Sequence, residues 1–179
     1  MANKIIHIYG ASGSGTTTLA KYICEKLDYV LMDTDDYFWK PTNPPYTEKR
    51  EIPERLELME KDIAKSDKVI ISGSLVDWGN KLIPMFTLAI RLDTATDIRI
   101  ERLKKREYEH FGSRVEIGGD MYDHHQQFLA WAAAYDHGDI NMRSKAKHDQ
   151  WQKILPCKQV ILDGNVDLEN NFETIKPYL

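Results

Sequence analysis

Nine residues, Gly10-Ala11-Ser12-Gly13-Ser14-Gly15-Thr16-Thr17-Thr18, have the types and spacing of a loop that holds phosphate. They follow an apolar run, Ile5-Ile6-His7-Ile8-Tyr9, and lead into a helical pattern that starts at Leu19. The pattern G-x-x-x-x-G-K-[ST] fits Gly10 to Thr17 with one departure, because Thr16 stands where the lysine belongs. Glycines let the main chain turn tightly around an anion and aim several N–H groups at it. The positive end of the following helix adds to that attraction. Thr17 would offer its hydroxyl to a magnesium ion bridging the phosphates. Thr16 cannot reach the β- and γ-phosphates as a lysine does, so a charge-assisted hydrogen bond of about 1.5–3 kcal/mol needs a substitute. The competing reading is a plain Gly/Ser-rich turn, but strand, glycine spacing, hydroxyl and helix all agree on phosphate. The expected nucleotide-contacting residues are Gly10, Ser12, Gly13, Ser14, Gly15, Thr16, Thr17 and Thr18, which implies ATP and Mg2+ as ligands.

Carboxylates come next. The second strand candidate ends in Asp33-Thr34-Asp35-Asp36. At a strand end beside such a loop, an aspartate can hold magnesium or take a proton from an attacking hydroxyl. Asp33 and Asp35 are two apart and would point the same way if the strand continues; a turn or helix start is the alternative. Thr17, Asp33 and Asp35 are therefore the expected metal ligands. The division of metal and acceptor roles between the two aspartates stays open. Tyr37-Phe38-Trp39, Tyr46 and Lys49-Arg50 follow. Aromatic rings offer flat faces to a ring substrate, although they serve a core equally well, and Arg50 could fork onto an anion. The third strand, Val69-Ile70-Ile71, runs into Ser72-Gly73-Ser74 with no carboxylate at its tip. That moves the metal role toward Asp33 and Asp35, with Asp77 a weaker candidate. Gly73 permits close backbone approach of a ligand. Tyr37, Arg50 and Gly73 are the acceptor-site candidates.

Arg99, Arg102 and Arg106 recur at helical spacing, so they share one face. Arg102 and Arg106 could converge on the transferred phosphate and supply the charge that Thr16 lacks. Glu101, Glu107 and Glu109 allow the other reading, an exposed ion-paired face. Arg114, in a glycine-bearing loop, and Arg143 beyond it are further phosphate-clamp candidates. His110, His124, His125, His137 and His148 match no metal motif.

These residues need a scaffold. Short apolar runs alternate with helical patterns, which indicates a parallel sheet with helices on both faces. The strand candidates are Lys4–Tyr9, Tyr29–Asp33, Lys68–Ser72, Thr87–Asp93 and Gln159–Asp163. The helix candidates are Thr17–Leu27, Pro53–Ser66, Thr94–Phe111, Met121–Tyr135, Ser144–Ile154 and Leu168–Lys176. Pro53 suits a first helical turn, and Asp93 or Thr94 suits a cap. Three prolines, Pro41, Pro44 and Pro45, make 40–52 an ordered loop rather than a helix. A chain of 179 residues fits one domain, 1–179, with an acceptor-site loop at 34–52 and a lid at 107–143. The net charge of −4 argues against nucleic-acid binding, which needs a basic face. No run has the ~18–20 apolar residues of a membrane span, and no secretory pattern opens the chain. Two cysteines, Cys24 and Cys157, lack zinc spacing, so a reduced, cytoplasmic setting is expected.

With these residues in view, the chain resembles the P-loop kinase superfamily in its adenylate kinase and shikimate kinase-like branch. The resemblance rests on Gly10–Thr18, the aspartates after the second strand, Ser72-Gly73 after the third, and the arginine-bearing helix before the lid. More narrowly, G-A-S-G-S-G-T-T-T, D-T-D-D-Y-F-W and G-G-D-M resemble small bacterial proteins described as adenylate kinase-like or ATP-binding. The resemblance implies an α/β, three-layer P-loop NTPase fold: a parallel five-stranded sheet with helices on both faces and a lid segment. In related kinases an aspartate after the second strand contacts acceptor and magnesium, a role that falls here on Asp33 or Asp35. Lid arginines there clamp ATP phosphates, which maps to Arg102, Arg106 and Arg114. The function implied is ATP-dependent phosphoryl transfer to a small acceptor, a nucleoside or nucleotide before a sugar-like acid or alcohol. The alternatives are a nucleotide-binding regulator with little transfer, or a scaffold that has lost nucleotide.

Overall fold

The computed structural model describes residues 3–179. Five parallel strands form one sheet: β1 (Lys4–Gly10), β2 (Val30–Asp33), β3 (Lys68–Ser72), β4 (Leu88–Asp93) and β5 (Lys158–Asp163). Their order is β2-β3-β1-β4-β5. All pairs are parallel, with Ile6 of β1 level with Ile70 of β3 and Leu88 of β4. The connections are α1 (Thr16–Lys26), α2 (Thr34–Phe38), α3 (Ile52–Ile63), α4 (Thr96–Phe111), α5 (Tyr122–Ala133) and α6 (Lys145–Ile154), with α7 (Leu168–Ile175) closing the chain.

Both faces of the sheet are covered, so its central strands are apolar on both sides. Odd positions of β1, Ile5 and Tyr9, pack with Met59 and Ile63 of α3 and Trp151 of α6. Even positions, Ile6 and Ile8, pack with Leu19 and Ile23 of α1 and Phe172 and Ile175 of α7. His7 falls on the first of these faces. It stacks between Tyr9 and Phe86, accepts from the indole of Trp151, and burial pushes its pKa down to about 3. A small third cluster, Leu103, Leu129 and Ala132, joins α4 to α5. Among the described residues no helix is long and apolar enough to cross a membrane.

Two local expectations are corrected. The chain does not continue as a strand after Asp33, since α2 begins at Thr34 and Asp33 is its cap, accepting from the Asp35 N–H at 3.0 Å. Asp33 and Asp35 thus leave the main chain in different directions. The fourth helix starts at Thr96, and neither Asp93 nor Thr94 caps it; Ala95 takes the cap position with no side-chain bond. The Thr94 hydroxyl is drawn instead to the Ser14 carbonyl, 3.1 Å away. Pro53 does lie in the first turn of α3.

Candidate active site

Gly10 to Gly15 leave the end of β1 and wrap toward α1. A side chain at Gly10 would meet the Leu92 carbonyl at 2.5 Å, and one at Gly13 would meet the Arg99 carbonyl at 2.7 Å. Gly13 and Gly15 also hold φ of +82° and +100°, a region open to glycine at little cost. The Ser14 amide closes a turn on the Ala11 carbonyl at 3.1 Å. No side chain caps α1. Its first-turn amides, on Thr16, Thr17 and Thr18, therefore have no acceptor within the helix and stand open for an anion.

The loop is held from behind by Arg99, which is fully buried. Its guanidinium donates to the carbonyls of Thr94 (3.1 Å), Ser12 (3.2 Å) and Ala132 (3.1 Å) and to the Thr96 hydroxyl (2.7 Å). One side chain thereby ties the phosphate loop, the end of β4 and the end of α5. One turn along α4, Arg102 reaches the front of the loop. It donates to the Gly164 carbonyl at 3.0 Å and to the Ser14 carbonyl at 3.5 Å, and its Nη1 would lie 3.8 Å from a Cβ on Gly15. Beside it opens a cavity of about 330 Å³ lined by Ser14, Gly15, Thr18, Arg102, Gly164 and Asn165 among others. The cavity, the open amides and the glycine cradle together fit a nucleotide polyphosphate.

The Thr17 hydroxyl donates to Asp33 Oδ2 at 3.0 Å and lies 3.3 Å from the Ser72 hydroxyl. A hydroxyl and a carboxylate so placed fit a magnesium ion whose other ligands are phosphate and water. Ser72 joins this group only because β3 neighbours both β1 and β2. Gly73, with φ +112°, must be glycine for a nearby reason: a Cβ there would lie 1.9 Å from the Thr34 hydroxyl.

Asp35, in the first turn of α2, follows Asp33, and its carboxylate has no hydrogen-bond or ion-pair partner among the described residues. Crowding by protein, then the charge of Asp33, raises its carboxyl above the usual range, while Arg143 and Arg106 act the other way. Among the described residues Arg106 has one hydrogen-bonded partner, Glu107 Oε1, at 3.3 Å. The Arg143 guanidinium lies 4.9 Å from the centre of the Trp131 ring. Its position is set by α6, which starts one residue later at a Ser144 cap. On that helix His148 is buried between the Ser74 hydroxyl (3.0 Å) and the Tyr135 hydroxyl (2.8 Å). Tyr46 holds φ +64° and stands edge-on to Trp39, with Asp35 and Arg106 as charged neighbours.

A family model described as an AAA domain matches residues 6–118. The chain belongs to this P-loop family. Among curated relatives it is 39% identical over 176 residues to the uncharacterized protein YqaC of Bacillus subtilis (strain 168), covering 98% of this chain and 97% of the relative. It is 31% identical over 116 residues to the cytidylate kinase of Methanocaldococcus jannaschii, covering 58% of this chain and 64% of that protein. Among solved structures, a sugar kinase from Janibacter sp. HTCC2649 superimposes with a TM-score of 0.53 at 15% identity, over 98% of this chain and 94% of that one. A deoxyadenosine kinase from M. mycoides gives 0.51 at 15% identity, over 97% of each chain. At such identity the likeness speaks for the fold, which is the α/β P-loop kinase fold.

Not every residue singled out in the sequence reaches the cleft. Arg114 lies beyond α4 and is paired through two nitrogens with Asp120, at 2.9 and 2.8 Å, within its own loop. Arg50 donates to the carbonyls of Asp36 (2.7 Å) and Trp39 (2.5 Å) and pairs with Glu54, so it serves the carbonyl end of α2 rather than an open anion site. The Tyr37 hydroxyl is bonded to Asp62 on α3 at 2.9 Å, and its ring packs on the core. Asp77 forms an ion pair with Lys147. Arg99 shares a face with Arg102 and Arg106, yet its burial was not legible from that spacing. The signal that could have found it was its position one turn after β4, where a helix must pack on the loop.

Proposed function

We propose that this chain catalyses ATP-dependent phosphoryl transfer to a small-molecule acceptor. The observation that carries this reading is a cleft with two unlike walls. One presents main-chain amides, Thr17 and Asp33; the other presents the Asp35 carboxylate, which carries no hydrogen bond or ion pair of its own among the described residues and feels the charges of Arg143 and Arg106. A pure nucleotide sensor needs no second wall. The cytidylate kinase relatives and the deoxyadenosine kinase fold favour a nucleoside or nucleotide acceptor.

In this reading residues 1–179 act as one unit, with 34–52 on the acceptor side and 107–143 as the lid. The loop from Gly10 to Thr18 and Arg102 bind the triphosphate of ATP. Thr17 and Asp33 would hold Mg2+, which when bound neutralises phosphate charge and orients it. Arg102 takes over the part of the charge that a lysine at position 16 would supply. Asp35 orients the acceptor and receives its proton as the acceptor oxygen bonds to the γ-phosphorus and the bond to the β–γ bridging oxygen breaks, leaving ADP. A raised carboxyl pKa brings Asp35 closer to the value an efficient base needs at neutral pH. Closing of the lid excludes water, which limits hydrolysis of ATP.

The test is incubation with magnesium-ATP and a panel of nucleosides, nucleotides and small alcohols, following ADP release. Release that depends on an acceptor is expected. Tight ATP binding with no acceptor response across the panel would instead make the protein a sensor, and absence of ATP binding would leave only a scaffold.

A further inference from the structure

The phosphate loop is braced from two directions, and one buried histidine joins the braces. On one side Arg99 donates to the Ser12 carbonyl at 3.2 Å. Its guanidinium lies 5.1 Å from the centre of the Tyr135 ring, in the turn that follows α5. On the other side the Thr17 hydroxyl lies 3.3 Å from that of Ser72, the last residue of β3. The register of β1 with β3 runs only as far as Ile8 and Ser72. Beyond it the chain turns at Gly73, with φ +112°, and reaches Ser74.

His148 spans the gap between the two. It is fully buried on α6, with Nε2 3.0 Å from the Ser74 hydroxyl and Nδ1 2.8 Å from the Tyr135 hydroxyl. The Tyr9 ring stands edge-on to it, with 5.4 Å between ring centres. Burial pushes its pKa down to about 3, so at neutral pH one nitrogen donates and the other accepts. The bond at each nitrogen then fixes what the other must do. The helix beneath it is anchored to several strands. Asp149 pairs with Arg91 of β4 at 2.6 Å, the Trp151 indole donates to His7 of β1 at 3.3 Å, and Lys147 pairs with Asp77, three residues beyond Ser74. The residue before Ser74 is in close contact with the site. A Cβ on Gly73 would lie 1.9 Å from the Thr34 hydroxyl, so Gly73 lies flush against the residue that follows Asp33. A shift of Ser74 would therefore carry Gly73 and Thr34 with it, and then the carboxylate that the Thr17 hydroxyl meets at 3.0 Å.

Resting on the nucleotide-binding part of the proposed function, we infer that His148 is a positioning residue for the magnesium side of the phosphate loop. It touches no ligand itself. By holding Ser74 and Tyr135 at once, it fixes the chain after β3 relative to the loop that Arg99 braces. Gly73 and Thr34 pass that position on to the Asp33 carboxylate. The two hydroxyls act as one unit, because each reaches the other only through the imidazole.

The experiment cuts each link with a change that removes one oxygen: Ser74→Ala and Tyr135→Phe, singly and together. Tyr135→Phe leaves the ring face to Arg99. Calorimetry gives the Kd of ATP with magnesium and with EDTA. Each single change should raise the Kd of magnesium-ATP by about three- to tenfold, and the magnesium-free Kd by less than about twofold. The double variant should stay within about twofold of the weaker single, because both changes cut one chain. Losses that multiply would make the hydroxyls independent, and losses equal with and without magnesium would make their part merely structural; either overturns the inference. A second measurement needs neither variant nor nucleotide. Long-range proton–nitrogen NMR of the wild type should show His148 as one neutral tautomer from about pH 6 to pH 8. Averaging between tautomers, or a protonated ring, overturns the inference as well. Unchanged affinities in every variant, with a wild type that binds magnesium-ATP, overturn this inference alone. A wild type that binds no ATP overturns the nucleotide reading and this inference with it.

Discussion

The two walls of the cleft are built differently. The phosphate-loop wall is made of main chain, and its groups are fixed by packing from behind. Gly10 and Gly13 admit no side chain, and Arg99 is buried with donors on three carbonyls and a hydroxyl. The facing wall is made of side chains with few internal partners. Among the described residues the side chains of Asp35 and Arg143 make no protein hydrogen bond, and that of Arg106 bonds to its neighbour Glu107. The loop over them, from Lys40 to Lys49, is held by the Trp39–Lys49 bridge and a few loop bonds. In the proposed function the difference has a use: one wall would recognise the nucleotide common to every turnover, where rigidity is an asset. The other keeps its charged groups available for whatever must be exchanged. Substitutions should therefore separate the walls, costing stability on one and rate on the other.

The largest effect is expected at Asp35. Asp35→Asn should lower kcat by about 10²–10⁴-fold with the KM for ATP little changed, measured by steady-state ADP release. The same change should raise the melting temperature at pH 7. The carboxyl pKa is higher in the folded state than in the unfolded one, so its stabilising contribution exists only at low pH and is lost as pH rises through the folded value. The ionised group thus opposes folding at neutral pH, and asparagine relieves this. For the same reason wild-type kcat should fall as pH drops through that raised value. A rate within a few-fold of wild type would take the proton-accepting role from Asp35.

Arg99→Leu should give the reverse pattern. Three carbonyls lose their donor, at a cost of at least about 3 kcal/mol. In a protein of this size that is a drop of roughly 6–12 °C in a thermal melt. ATP affinity should fall with it, because the Ser12 carbonyl no longer has its anchor. Retention of the wild-type melting temperature would mean that the loop is held by its glycines alone.

The smallest effect sharpens the question of the missing lysine. Arg102→Ala should weaken ATP binding by about tenfold, the value of one charge-assisted hydrogen bond. Thr16→Lys should recover most of that loss in the Arg102→Ala background and add little to the wild type. Calorimetry on the four proteins measures this coupling. Additive effects would show that the two positions serve different phosphates.

Much of the scaffold was legible because its signals are local. Each strand is a short apolar run. The helices other than α2 follow from spacing, and the glycine loop follows from residues within nine positions of one another. The five-residue α2 is too short to show a period, so the sequence leaves a continuing strand and a helix start both open after Asp33, and the fold decides for the helix. Arg99, Arg102 and Arg106 look equivalent on a helix face, but Arg99 is buried behind the phosphate loop, Arg102 reaches its front and Arg106 pairs with Glu107. Arg50 and Arg114 read as anion contacts, yet carbonyls and Asp120 are their partners.

By itself, the sequence determined the parallel α/β order and the amide cradle, because both depend on the conformational freedom of glycine and the periods of apolar residues along one stretch of chain. The tertiary structure decided which charges face each other. Arg143 and Asp35 are more than a hundred positions apart, and only the stacking of α4, α6 and the sheet brings a guanidinium to that carboxylate. Long side chains take their partners from what packing leaves within reach, and no spacing along the chain records that distance.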